Sequence, residues 1–334
     1  MGSKTKLWIG VGTYLIVSAL PGLAAAQAEW TSVETAKTPR QQPIDLAQAV
    51  TEADLCRRGP GGEGGEGGEG GEGSVMAPAP TTLAAGVDAA ALNQAVEQYE
   101  AYVQAQAEDL VQRVQEFTGT IIAGDLEAAK TLYPTSRIPW ERIEPVAERF
   151  AAFDTSIDAR VDDFQGETDP EFTGFHRIEL GLFQNNSTDG LKPFAEKLMS
   201  DVVGLQRCIS VLQIEPRDMV VGAAELIEEV AQSKITGEED RYSRTDFWSF
   251  HANVEGSMQI VDLLRPIVQS VNPQLLADID AGFADVNQQL DRYRLPEGGF
   301  KTYDQLTPTD KQRLQASLAR LAEDLANLRG VLGV

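Results

Sequence analysis

Apolar residues recur every three, four or seven positions through most of the chain after residue 81, and this spacing constrains the fold strongly. On an α-helix such residues share one face, whereas a half-buried strand would alternate polar and apolar positions. The clearest stripe is Leu314, Leu318, Leu321, Leu325, Leu328 and Leu332. Further helical stretches are predicted at 92–121, 194–212, 215–232, 246–268 and 276–293. Several long amphipathic helices joined by short turns predict an all-α fold, made of one helical bundle or two.

The amino terminus has the pattern of a targeting segment. Two lysines precede an apolar run at 7–20, and a break at Pro21 is followed by small residues. This order is typical of a secretory signal peptide, here predicted over 1–28 with cleavage near Ala26 or Ala28. The run is shorter than the roughly 20 residues that span a bilayer, which favours a cleaved signal over an anchor. We therefore expect an exported, periplasmic protein.

Residues 29–80 are predicted to be a flexible linker that precedes a folded domain over 81–334. The linker contains repeated Gly-Gly-Glu units, in which glycine is entropically costly to order and the glutamates repel one another. A spacer is favoured over a weak cation-binding tract. The two cysteines, Cys56 and Cys208, could pair in an exported protein or could be unrelated thiols. They are too few for a cysteine-rich zinc site.

Charge and missing motifs exclude several functions. The chain has 28 Lys and Arg against 51 Asp and Glu, a formal net charge of −23, which opposes binding to nucleic acid or to anionic membranes. The glycine-rich tract lacks the lysine of a phosphate-binding loop. No Gly-x-Ser-x-Gly elbow is present, although a Ser-His-Asp triad assembled from distant residues stays open.

Only two histidines occur, and one of them forms a candidate metal-binding pair. His176 and Glu179 are three positions apart, so on a helix an imidazole and a carboxylate project from the same face. A surface ion pair or a helix cap would give the same spacing. His251 and Glu255 are four apart, and for them a structural role is favoured. The histidines lie 75 positions apart, so the His-Glu-x-x-His motif of zinc proteases cannot form.

Acidic residues upstream could complete a metal site. Glu141 and Glu144 share one predicted helix face, and Asp158 lies in an acidic segment at 154–163. Iron favours several carboxylate oxygens with an imidazole. Glu141, Asp158, His176 and Glu179 would supply that set if their helices converge, whereas solvated faces and helix caps are the alternative. A segment dense in charged and aromatic residues, 234–248, is interpreted as a lid or pocket wall.

Several sequence blocks resemble blocks of the EfeO/imelysin family and follow one another in the same order as in that family. Gly174-Phe175-His176-Arg177-Ile178-Glu179 is similar to that family's Gly-x-His-x-x-Glu signature. The other similar blocks are 128–133, 141–148, 157–163, 235–243 and 252–256. Together the similarity covers roughly 85–334.

The resemblance implies an imelysin-like domain made of two antiparallel helical bundles. It implies an exported component of an EfeUOB-type iron-uptake system, with iron as Fe2+ or Fe3+ held by Glu141, Asp158, His176 and Glu179. The implied partners are a membrane iron permease and a haem peroxidase component. Zinc and copper are further candidate ligands in vitro.

Two other functions are kept as alternatives. Imelysin relatives have been classed as peptidases, so a metallopeptidase with Glu144 or Glu179 as the base is the first, weakened by the missing histidine pair. The second is an interaction module that presents an acidic surface.

The chain also departs from the family pattern. Longer members carry an amino-terminal cupredoxin domain, whereas the region before residue 81 here is short and lacks histidine. Arg244 stands where members often have histidine in Ser-His-Thr-Asp, and His251 stands where glutamine is common. If the replaced histidine supports the site, we expect metal choice or affinity to differ.

Overall fold

The computed structural model describes Cys56 and residues 83–334. The predicted signal peptide, and the predicted linker apart from Cys56, lie outside the described residues. The described part has nine α-helices: α1 Ala89–Ala123, α2 Leu126–Ile143, α3 Ala151–Asp158, α4 Gly174–Glu179, α5 Lys192–Ile209, α6 Pro216–Gln232, α7 Asp246–Val271, α8 Pro273–Asp291 and α9 Pro308–Leu332. No strand occurs among these residues, and the all-α prediction is confirmed.

Helix boundaries follow from local sequence. The Asp88 carboxylate accepts a hydrogen bond from the Ala90 N–H at 2.9 Å and caps α1. Gly124, with φ of 78°, ends α1 in the left-handed conformation that glycine adopts without strain. Asp125 then caps α2, so only two residues separate these helices. Such a short turn makes α1 and α2 antiparallel neighbours.

The helices form two packing groups. In the first, α1 packs on α2 and α5, and the short helices α3 and α4 pack on α5. In the second, α9 packs on α6 and α8, while α7 packs on α6 and α8. Contacts of α7 with α2 join the two groups. The predicted leucine stripe of α9 is fully buried in this arrangement.

Close backbone packing positions the elements that carry the candidate site. A Cβ atom on Gly174 would lie 2.2 Å from the Ile157 carbonyl oxygen, and the residue has φ of +77°. Glycine therefore lets the start of α4 meet the end of α3, which brings Asp158 beside His176. Helix α4 continues into a π-helical turn, Leu180–Gln184, a distortion that is often found at functional sites.

A disulfide bond joins Cys56 to Cys208 of α5, so the pairing that the sequence left open is present. Further along the chain, the Ala84 N–H donates a hydrogen bond to the Leu332 carbonyl at 3.1 Å. This bond attaches the segment before α1 to the end of α9. Within the described residues, no helix is long and apolar enough to cross a membrane.

Candidate metal centre

His176 lies buried on α4 between two carboxylates. Its Nδ1 atom is 3.3 Å from Glu179 Oε2, and its Nε2 atom is 3.5 Å from Asp158 Oδ1. The other oxygen of Glu179 accepts hydrogen bonds from the backbone N–H groups of Tyr242 and Ser243, at 2.9 and 2.7 Å. The imidazole is therefore oriented by a carboxylate that is itself held in place, as is usual for metal-binding histidines.

Two groups of side chains around His176 have ligand atoms within 4.8 Å of one another. One group is Asp158, His176 and Glu239, and the other is His176, Glu179 and Asp240. The two groups share the imidazole, with Asp158 of the first group at Nε2 and Glu179 of the second at Nδ1. Both offer the imidazole and carboxylate donors that suit iron and zinc.

Two buried cations neutralise these acids. The Arg137 guanidinium donates through Nη1 to Asp158 at 2.6 Å and through Nη2 to Glu239 at 2.8 Å, and it also pairs with Glu141. The Lys234 ammonium lies 2.6 Å from the Glu144 carboxylate, 3.4 Å from that of Glu141 and 3.6 Å from that of Glu239. Buried charges require such partners because desolvation penalises an unpaired ion.

Of the four residues predicted from sequence, the structure brings three together around the imidazole: Asp158, His176 and Glu179. Glu141 belongs to neither ligand group. Its carboxylate pairs with Arg137 and Lys234 and accepts a hydrogen bond from Asn253 Nδ2 at 2.9 Å.

Sequence reasoning missed Glu239 and Asp240 as candidate ligands and Arg137 and Lys234 as their counter-charges. Three of these four lie in the segment 234–248, whose charge density was the available signal. For Arg137 the signal was its four-residue spacing from Glu141 on α2.

The site's protonation reflects these contacts. Burial opposes ionisation of Asp158, but the Arg137 charge and the hydrogen bond to His176 hold its pKa well below the usual range. Burial and the Arg137 charge lower the pKa of His176, yet the carboxylates of Asp158 and Glu179 outweigh them and raise it to about 10. Burial raises the pKa of Asp240 to about 7. These contacts favour the protonated imidazole in the metal-free site.

A cleft of about 600 Å3 borders the cluster. Asp158, Glu239 and Lys234 line its inner wall. The remaining charged side chains that line it are Glu144, Asp154, Arg160, Asp163, Glu225 and Glu229. Acids outnumber bases on these walls, so the cleft attracts cations towards the imidazole.

Neither of the two departures from the family pattern belongs to a ligand group. Arg244 has φ of 61° and donates to the Gly237 carbonyl at 3.1 Å, so it braces the 237–244 turn. His251 forms a separate group with Glu255 and Arg294. Burial lowers the pKa of His251.

The sequence comparisons agree with this fold. Residues 95–328 match the family model described as imelysin, and the chain belongs to the imelysin family. It is 55% identical over 244 residues to the iron uptake system component EfeO of Escherichia coli strain K12 and to that of Shigella flexneri. Each match covers 73% of this chain and 65% of the relative, so the chain spans a little under two thirds of these relatives.

Proposed function

We propose that this protein is an exported iron-binding component of an EfeUOB-type iron-uptake system and is not an enzyme. The observation that carries the proposal is the buried imidazole of His176, with Asp158 and Glu179 on its two ring nitrogens, beside an acidic cleft. The name of the E. coli relative, iron uptake system component EfeO, supports iron as the cargo.

In this proposal the cleft collects the cation and the cluster holds it. Carboxylates on the cleft walls raise the local cation concentration. An ion at Nε2 of His176 would be held by that nitrogen with Asp158 and Glu239, while Glu179 would orient the ring from Nδ1. Glu141 contacts the same network through Arg137. The loaded protein would deliver iron in the periplasm to a membrane iron permease, together with a haem peroxidase component of the system.

Metal binding is expected to weaken on acidification, because protons compete with metal for carboxylates and imidazole. We expect the affinity to fall steadily from about pH 10 to about pH 4, because the metal must displace the proton that His176 holds with a pKa of about 10. Calorimetry across this range checks the expectation. An affinity that stays constant down to about pH 4 would contradict ligation by these groups.

The first experiment is calorimetric titration of the purified protein with Fe(II) under anaerobic conditions, and with Fe(III), Zn(II) and Cu(II). We expect dissociation constants of about 1 μM or less for iron, with binding lost in His176→Ala and in Glu179→Ala. His251→Ala is the matched control, because it removes the second histidine of the chain, which lies outside the cluster. Binding that is weak, or equal in the His176 and His251 variants, would reject the proposed site.

The peptidase alternative is disfavoured by the state of its two nominal bases. Glu144 is bound by Lys234 at 2.6 Å and by Asn253 at 2.7 Å. Glu179 is bound by two backbone N–H groups. A general base needs an oxygen that can accept a proton from water or substrate. Digestion of casein that is abolished in His176→Ala would instead favour the peptidase.

A further inference from the structure

The guanidinium group of Arg137 fills a position that a metal ion would need. Its Nη1 atom lies 2.6 Å from Asp158 Oδ1 and 3.4 Å from His176 Nε2. Its Nη2 atom lies 2.8 Å from Glu239 Oε1. These three partners are the members of one of the two ligand groups. A single cationic side chain therefore already bridges the imidazole and both carboxylates.

The Nε2 side of His176 is also the side that a cation can reach. Asp158 and Glu239 line the cleft of about 600 Å3, whereas Glu179, which contacts Nδ1, and Asp240 have no exposed surface and do not line it. Glu179 is further committed to two backbone N–H groups. An incoming ion would thus meet Asp158 and Glu239 first, at the place where Arg137 lies.

The hydrogen-bond donors of the Arg137 guanidinium are incompletely satisfied by the groups around it. Its Nε atom is 3.6 Å from Asp240 Oδ1, too long for a hydrogen bond. Its Nη1 atom faces an imidazole nitrogen that also faces Asp158, so two hydrogen-bond donors compete for one carboxylate oxygen when that nitrogen is protonated. Arginine has five donors and no acceptor, so it cannot hydrogen-bond to that nitrogen when the nitrogen carries a proton.

We propose that Arg137 is a built-in counter-cation, which occupies the metal-accepting side of His176 in the metal-free protein and is exchanged for the incoming ion. The proposal rests on the proposed function, since it describes how that site is loaded. The exchange keeps the buried carboxylates compensated in both states. The exchange also selects ions by their charge. A monovalent ion that replaces the guanidinium leaves the net charge of the site unchanged, whereas a divalent or trivalent ion increases the attraction to the carboxylates.

The exchange makes opposite predictions for stability and for metal affinity. Without Arg137, the metal-free protein holds several uncompensated buried carboxylates and should unfold at a lower temperature. Metal would no longer compete with the guanidinium and should bind more tightly. A merely structural arginine would give the opposite result for affinity, because a disordered cluster binds metal less well.

The experiment compares Arg137→Ala with Arg142→Ala. Arg142 lies on the same helix but pairs with Glu255. We expect Zn(II) affinity to rise at least about tenfold in Arg137→Ala, because the metal then compensates buried carboxylates that have lost their counter-charge. In Arg142→Ala we expect the affinity to stay within about twofold of the parent value. Methylguanidinium at millimolar concentration should replace the missing side-chain group. It should raise the melting temperature of metal-free Arg137→Ala but not that of the parent protein or of Arg142→Ala. Tetramethylammonium should not, and Zn(II) should suppress the methylguanidinium effect.

Metal affinity that is unchanged or weaker in Arg137→Ala would overturn the exchange. Loss of His176-dependent binding in the parent protein would instead reject the proposed function, so the two failures differ. A crystal structure of the parent protein with Zn(II) gives a test that does not need the variant to fold. Arg137 should be out of contact with Asp158 there, and a retained contact of 2.6 Å beside a bound ion would overturn the proposal.

Discussion

At the residue scale, Asp154 on the cleft wall shows how burial among acids alters a carboxyl group. Burial and the neighbouring Asp158 charge raise its pKa to about 7. The folded state therefore holds this proton more tightly than the unfolded chain does. Stability should fall as pH rises from the ordinary value of 3.8 towards 7, and the full penalty remains above that pH.

Asp154→Asn removes this penalty. We expect the free energy of unfolding at pH 8 to rise by on the order of 1 kcal/mol, with little change at pH 4. Urea unfolding at the two pH values measures the difference. Asp189→Asn, at an exposed position, is the matched control. Equal effects of Asp154→Asn at pH 4 and pH 8 would show that the carboxyl titrates normally in the fold.

At the element scale, glycines set how closely helices approach the turn that carries Glu144. Gly222 of α6 faces the 3-10 turn Glu144–Phe150, where an added Cβ atom would lie 1.7 Å from the Pro145 carbonyl oxygen. Gly256 of α7 similarly faces the Arg142 carbonyl, with 2.3 Å to an added Cβ. Both contacts hold the end of α2 close to the second packing group.

Gly222→Ala should therefore separate α6 from this turn. We expect destabilisation of about 1–3 kcal/mol, the range for overpacking in a well-packed interior. Gly119→Ala in α1 is the matched control, because no atom lies within 4 Å of its added Cβ. There the higher helix propensity of alanine should stabilise the protein by up to about 1 kcal/mol. Thermal unfolding of both variants checks the difference, and equal changes would contradict the packing argument.

At the scale of the whole molecule, the disulfide joins cysteines separated by 152 positions. A covalent link across so long a segment restricts the unfolded chain more than the folded one. Cys56→Ser should lower the free energy of unfolding by about 2–4 kcal/mol. Reductant should lower the melting temperature of the parent protein and leave that of Cys56→Ser unchanged. A parent protein insensitive to reductant would show that the link contributes nothing to stability.

The sequence by itself determined the elements and one part of the candidate site. Helical periodicity and capping residues depend on neighbours within a few positions, so the all-α fold could be predicted from them. The pairing of His176 with Glu179 is equally local, since three residues along a helix bring two side chains together.

Only the tertiary structure decided which distant charges share the site. Arg137 and Glu239 are 102 positions apart, and Lys234 and Glu144 are 90 apart, yet both pairs are in contact. Their meeting depends on the packing of α2 against α7 and on the path of the 234–245 segment, which no local pattern encodes. Glu141 lies within the same cluster but faces cations instead of the imidazole, because side-chain direction is set by helix orientation as well as by spacing.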